Sequence, residues 1–317
     1  MHVVLVGPGA LGGLLAVRLM PVLERHGGRL SLLDHRPDRA AFLAENGITL
    51  LEHGRTLHVR PQVFVKADEI GGADVILLSV KSGDVAKALA CLRPLLDSDT
   101  LLLGFQNGMS HVDLLRQSDA TAAAGVTALG ASLAEPGQVV FGGQGPTSLG
   151  LFDDGEKCAL LDDFVDLMQQ AGLDARRSNN ILADLWKKLF INVGINALTA
   201  IHGRKNGQLL TSCGVRSTMK KAIGEAVAVA EKSGIPIQGD PVSQTFAVCR
   251  KTRNNVSSML QDVRRRRPTE IMAINGFVVR EGERLHIDTP VNRKLVNQIR
   301  AIEASWHTHH AQESTEN

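Results

Sequence analysis

The 317-residue sequence predicts a doubly wound α/β region followed by an all-helical one, and three observations carry that reading. A buried strand runs straight into a glycine turn near residue 7. Short β-rich runs then alternate with helical stretches to about residue 180. Beyond that point the apolar residues recur at helical spacing. The expected domains are 1–178 and 179–307, with a frayed polar tail over 308–317.

The first strand is expected at residues 3–6. It leads into Gly7-Pro8-Gly9-Ala10-Leu11-Gly12 and an apolar helix over 14–19. In a strand–turn–helix context this spacing belongs to a dinucleotide site. Gly7 permits the tight turn, Gly9 lets the backbone approach a pyrophosphate, and Gly12 brings the helix close to the strand, so that the helix N-terminal amides face the phosphates. Further strands are expected at 30–33, 59–65, 75–80, 101–105, 122–130, 138–141 and 148–151. The glycine-rich section from 125 to 150, with its turn Glu135-Pro136-Gly137, is expected to finish the sheet with antiparallel strands. Helices are expected at 181–201, 216–233, 243–260, 269–280 and 289–306.

Composition narrows the class. Hydrophobic residues make up 44% and the formal charge is +2, which argues against disorder, an acidic tail or a broad nucleic-acid surface. No stretch is apolar for long enough to span a bilayer, and a strand at residue 3 leaves no room for a signal peptide, so a cytoplasmic protein is expected. Cys91, Cys158, Cys213 and Cys249 are scattered without a metal-ligand spacing and read as reduced structural thiols, with no metal site.

Four features bear on chemistry. Lys188, Asn192 and Asn196 recur every four residues and share one stripe of a helix whose other stripe is Trp186, Leu189, Phe190, Val193 and Ala197. Two asparagines amid Ile, Val, Gly and Ala are poor choices for an exposed helix, so the stripe reads as either a solvated face or a functional ridge. Asn107 and Lys81 each follow an apolar strand, at the carboxyl edge where α/β ligands bind; alone, each is more often a turn asparagine or a surface lysine, and together with the glycine turn they read as the lining of a crevice. The run Arg264–Arg267 ends in Pro268-Thr269-Glu270, a helix start in which Thr269 caps and Glu270 occupies the first turn. The run has no aromatic partners, so a solvated or anion-facing helix end fits it better than a nucleic-acid surface. Finally, Asp34-His35-Arg36-Pro37-Asp38-Arg39 follows the second strand, where an acid binds the ribose of NAD and arginine accommodates the phosphate of NADP. With Asp34 assigned to the strand end and Arg36 and Arg39 free to face a phosphate, NADP is the expected cofactor.

These motifs together resemble the ketopantoate reductase (2-dehydropantoate 2-reductase) family over nearly the whole chain. The resemblance rests on Gly7-Pro8-Gly9-Ala10-Leu11-Gly12, Lys81, Gln106-Asn107-Gly108-Met109 and Gly130…Pro136-Gly137…Gly142 in the first half. In the second half it rests on Leu185-Trp186-Lys187-Lys188-Leu189 through Asn192, Asn196-Ala197-Leu198-Thr199-Ala200, Asn206-Gly207, Ser257-Ser258-Met259-Leu260-Gln261-Asp262 and Thr269-Glu270-Ile271 with Ile274-Asn275-Gly276. It implies a Rossmann-type domain, a helical substrate domain, and NADPH-dependent reduction of 2-dehydropantoate to (R)-pantoate for pantothenate and coenzyme A synthesis. Lys188 matches the family's proton donor and Glu270 an acid near nicotinamide and substrate. Asn107, Asn192, Asn196, Asn206 and Ser258 match residues that hold the keto acid. Lys81, Asn107 and Ala131 match cofactor contacts beside the glycine turn. The implied partner is a small 2-keto acid, with no nucleic acid and no membrane, and a homodimer is the assembly admitted. Two departures from the pattern are Met272, where the family often has aspartate, and Phe141, where histidine is frequent. They keep open a reductase of another 2-keto acid; a non-catalytic NADP-binding sensor is the further alternative.

Overall fold

The computed structural model describes residues 1–153 and 158–313, with side chains as far as residue 306. The chain divides into two compact units: Met1–Gln106 with His111–Asp184, and Asn107–Ser110 with the chain from Leu185 onward.

The described strands all lie in the first unit. They are β1 (His2–Val6), β2 (Arg29–Leu33), β3 (Ile48–Glu52), β4 (Arg55–Val59), β5 (Gln62–Phe64), β6 (Val75–Leu78), β7 (Leu101–Gly104), β8 (Thr121–Thr127), β9 (Gly130–Glu135), β10 (Gln138–Gly143), β11 (Thr147–Leu151) and β12 (Ala175–Arg177). Its helices are α1 (Ala10–Arg25), α2 (Pro37–Asn46), α3 (Val85–Leu92), α4 (Val112–Arg116) and α5 (Ala159–Gln170). The main sheet runs β12-β11-β8-β7-β6-β1-β2-β5. Every neighbouring pair in it is parallel except β8 with β11. The central strands β1, β6 and β7 are apolar at every buried position because both faces are covered.

A second, four-stranded sheet, β4-β3-β10-β9, packs over α1, where a Cβ on Gly13 would stand 2.7 Å from Val139 Cγ2. This corrects the expectation that the 125–150 section finishes the main sheet: β11 joins it beside β8, but the edge strand is β12, while β9 and β10 leave it. The hairpin β3–β4 was not foreseen, since its exposed strand alternates polar residues; its two-residue turn, His53-Gly54, has positive φ at both positions, the geometry that suits tight hairpins. The single strand expected at 59–65 is two, interrupted at Pro61, which has no amide to donate to a ladder.

Among the described residues the second unit holds only helical structure: α6 (Ile181–His202, of which the part from Leu185 belongs here), α7 (Cys213–Lys232), α8 (Pro241–Lys251), α9 (Ser258–Arg264), α10 (Asn275–Leu285) and α11 (Pro290–Glu313). Trp186 packs on Phe190 and, edge-on, on Phe277, with centroids 5.8 and 5.7 Å apart. The unit is pinned by a buried polar network. Asn275 donates to Asn292 Oδ1 at 2.9 Å, Asn292 donates to Glu225 Oε2 at 2.7 Å, and the Glu225 carboxylate accepts the first amides of α11. A carboxylate there satisfies amides the helix cannot and complements its dipole.

The helix expected over 243–260 is two. Asp240 caps α8 and Ser257 caps α9, and the chain between turns back on Asn206. The helix expected from Thr269 begins only at Asn275. The last helix continues to Glu313, past residue 308 where a frayed tail was expected, and residues 314–317 lie outside those described.

Candidate active site

The glycine turn is built as its chemistry requires. Gly7 has φ +86° and a Cβ there would stand 2.7 Å from Val80 Cγ1; a Cβ on Gly12 would stand 2.5 Å from Ser79 Oγ and 2.6 Å from the Gly7 carbonyl. Ser79 Oγ donates to that carbonyl at 2.7 Å and fixes the turn. Gly9 is different, for a Cβ there would meet nothing within 4 Å. No internal contact demands glycine at Gly9, and a close-approaching ligand would. Gly9 is also the N-cap of α1, with no side-chain cap and no acid in the first turn, which suits a pyrophosphate. Pro8, Ala10 and Leu11 complete the turn into α1, and Ala131 lies on β9, half-buried against the same core.

At the carboxyl ends of β6 and β7, Gln106 ties the strands together, donating to the carbonyls of Leu78 at 2.7 Å and Val80 at 3.2 Å. Lys81, half-buried, follows at the start of a single 3-10 turn. In the sequence Gln106 stands only within a motif, and its part in bracing the strand ends follows from the sheet order.

After β2 the structure revises one expectation. Arg39 is not free: its Nε and Nη2 both donate to the Asp34 carboxylate, the latter at 2.7 Å. Asp34 is buried, its side chain without exposed surface. Arg36 is exposed, and only its backbone amide contacts Asp34, at 3.2 Å. The i,i+5 pairing spans a strand end and a helix start, which no periodicity signals.

In the second unit, Asn107 and Glu270 come together. Asn107 Nδ2 donates to Glu270 Oε2 at 2.8 Å. The approach depends on Gly108, at φ +79°, where any Cβ would collide with the Ala273 carbonyl; Met109 N–H donates to that carbonyl at 3.3 Å. Glu270 is therefore not in the first turn of a helix, and Thr269 caps none. The Thr269 amide donates to Glu303, and residues 271–274 form turns before α10 begins.

The stripe on α6 is no solvated face. Lys188 and Asn192 are half-buried and Asn196 is buried. Burial pulls the Lys188 ammonium down from its ordinary value to about 8, and the nearby Glu270 carboxylate opposes that shift. Asn192 Nδ2 is buried without a hydrogen-bond acceptor, and so is Asn206 Oδ1 without a donor, although Asn206 Nδ2 donates to Thr252 at 2.9 Å. Leaving such groups unpaired is costly, and a polar ligand is what would satisfy them. Ser258, the first residue of α9, is exposed, while its neighbour Ser257 caps the helix and hydrogen-bonds Thr199 at 2.6 Å. The structure thus joins Lys188, Glu270 and Asn107 by contact or charge; Asn192, Asn196, Asn206 and Ser258 share their unit.

Comparison with known proteins decides the family. Residues 3–154 match ketopantoate reductase PanE/ApbA, and residues 180–303 match its C-terminal domain. The chain belongs to the ketopantoate reductase family. It is 35% identical to a 2-dehydropantoate 2-reductase of Vibrio cholerae over 96% of this chain and 99% of that one, and 31% identical to one of Halobacterium salinarum over 95% and 98%. Among solved structures, a PanE/ApbA family ketopantoate reductase from Ralstonia eutropha superposes with a TM-score of 0.86 at 29% identity, covering 96% of this chain and 99% of that one. A D-mandelate dehydrogenase, solved with NADH and anilino(oxo)acetate, reaches the same TM-score at 25% identity and the same coverage. No helix among the described residues is long and apolar enough to cross a membrane.

Proposed function

We propose that this member of the ketopantoate reductase family reduces 2-dehydropantoate to (R)-pantoate with NADPH, the reading supported by its relatives' shared name and by the chemistry of its own residues. The observation that carries it is a half-buried lysine, Lys188, on a helix stripe with the unpaired Asn192 donor and in the field of the Glu270 carboxylate. A carbonyl that gains negative charge is stabilised by such an ammonium and by an amide donor, and the carboxylate keeps the ammonium charged.

When bound, NADPH supplies the hydride, and the residues fit it: the open Gly9, the uncapped N-terminus of α1, Lys81 and the exposed Arg36 would hold its phosphates. The chain's own part is the proton and the placement. As the ketone carbon is reduced, the Lys188 ammonium donates its proton to the oxygen and stabilises the charge developing there. A lysine pKa near 8 makes that transfer easier than from an ordinary lysine while keeping the donor protonated at neutral pH. Glu270 keeps the ammonium charged despite burial and is itself steadied by Asn107. Asn192, Asn196, Asn206 and Ser258 orient the keto acid, offering donors and acceptors without adding charge. The same reading has the enzyme work in the cytoplasm on a small molecule, without nucleic acid or metal, and as a homodimer.

Met272 and Phe141, together with the resemblance to a D-mandelate dehydrogenase, favour one second reading, reduction of another 2-keto acid by the same residues. A steady-state assay of NADPH oxidation over a panel of 2-keto acids tests both. The highest kcat/KM with 2-dehydropantoate supports the first, a preference for another keto acid selects the second, and no turnover of any of them rejects both in favour of a binding protein.

A further inference from the structure

We infer that Arg39 silences Asp34 as a cofactor determinant: its guanidinium withdraws the Asp34 carboxylate from the ribose of an unphosphorylated dinucleotide and cancels the repulsion that carboxylate would exert on a 2′-phosphate. The inference rests on the NADPH reading above and explains how a chain with an acid in this place would come to prefer NADPH.

Asp34 directly follows β2, whose last residue is Leu33. In dinucleotide-binding domains an acid at this strand end accepts the ribose hydroxyls of NAD. Position alone would therefore make Asp34 an NAD determinant, yet its carboxylate is not available for that work. Arg39 Nε donates to Oδ2, Arg39 Nη2 donates to Oδ1 at 2.7 Å, and the Arg36 amide donates to Oδ1 at 3.2 Å. The Asp34 side chain has 0% of its surface exposed, whereas Arg39 keeps 23%. A ribose diol would have to displace a bidentate guanidinium from a carboxylate shut off from water, trading charge-assisted bonds for weaker ones.

The pair also sets the local charge. With Asp34 and Arg39 cancelling, the exposed charged groups beside the pair are Arg36 and Asp38, and the acid at the strand end adds no repulsion of its own toward a phosphate.

The test is equilibrium binding by fluorescence titration of NADPH and NADH to the wild type, Asp34→Asn, Arg39→Met and the double variant, with 2′,5′-ADP and 5′-ADP as competing fragments. Asp34→Asn should leave the NADH Kd within about twofold of wild type and NADPH unchanged or tighter, since the acid contacts neither. A loss of NADH affinity of about tenfold or more in that variant would make Asp34 the ribose ligand and overturn the inference. Arg39→Met exposes the acid: NADPH and 2′,5′-ADP should weaken by about tenfold or more, while NADH and 5′-ADP do not weaken. The double variant, with neither charge, should regain most of the lost NADPH affinity. If it stays as weak as Arg39→Met, then Arg39 is itself the phosphate ligand and the inference fails. Should Arg39→Met fail to fold by circular dichroism, Asp34→Asn decides alone. The wild-type ratio of NADPH to NADH affinity judges the cofactor reading separately, so the two failures are distinguishable.

Discussion

The two units present their candidate ligand-binding groups differently: the glycine turn of the first offers backbone, the α6 stripe of the second side chains. Around Gly7, Gly9 and Gly12 what matters is the absence of a Cβ, imposed at Gly7 and Gly12 by neighbours standing under 3 Å away and at Gly9 by no neighbour of the protein's own. Around Lys188 the backbone is ordinary helix, and what matters is which side chains converge on it. The first kind of site fails when something is added, the second when something is removed. That difference orders the expected effects of substitution.

The largest effect is expected at Lys188. Lys188→Ala should lower kcat by at least about a hundredfold, the lower range for a positioned general acid, while the NADPH Kd stays near wild type. Stopped-flow turnover and a cofactor titration on the same preparation check it. Near-normal turnover would remove Lys188 from the chemistry, and an equal loss of cofactor affinity would break the division of labour between the units.

Arg36→Ala comes next. A guanidinium facing a phosphate contributes a charge-assisted contact of about 1.5–3 kcal/mol, so NADPH should weaken by roughly tenfold or more and NADH much less. Equal weakening of both cofactors would mean that Arg36 does not meet the 2′-phosphate.

Gly9→Ala and Gly12→Ala sharpen the contrast inside the first unit. At Gly12 the new methyl collides with Ser79 and the Gly7 carbonyl, an overpacking that should cost about 1–3 kcal/mol and lower the melting temperature as well as cofactor affinity. At Gly9 the methyl enters open space, so the melting temperature should hold and only the dinucleotide should bind less tightly. Thermal melts with and without NADPH separate the two; a Gly9→Ala protein that binds NADPH normally would show that nothing approaches the turn there.

The same contrast explains what could be read from the sequence. A glycine turn after a strand is a local message, because the steric demand sits within a few residues, and the α/β-then-helical order follows from periodicity. The polar stripe of Lys188, Asn192 and Asn196 was also local, being set by the helical repeat. The position of Glu270 was not. Thr269-Glu270 has the grammar of a helix start, and only packing shows that the helix waits until Asn275, leaving Glu270 to meet Asn107 from a distant segment. Arg39 differs from its expectation for a similar reason, since a guanidinium that looks free in the chain has a buried carboxylate five residues away. The second sheet is hard to read from the sequence because β4 is exposed at four of its five positions, so its residues carry no buried apolar face.

The smallest effect, and the most specific, concerns pH. Lys188 must be protonated to donate, and burial has lowered its pKa to about 8. Reduction should therefore run at full rate well below pH 8 and fall as pH rises through that value, approaching a tenfold loss per unit; the reverse oxidation, which needs the free amine, should rise through the same window. Glu270 opposes the depression, so replacing its charge removes a term that favours the ammonium. In Glu270→Gln the falling limb of the kcat profile should move to lower pH, whatever else the substitution does to the absolute rate. A wild-type profile flat from pH 7 to about 10 would mean that the proton comes from a group other than Lys188. A limb that moves upward in Glu270→Gln would mean that the carboxylate does not sustain the ammonium charge, and Glu270 would then keep only its role of holding Asn107.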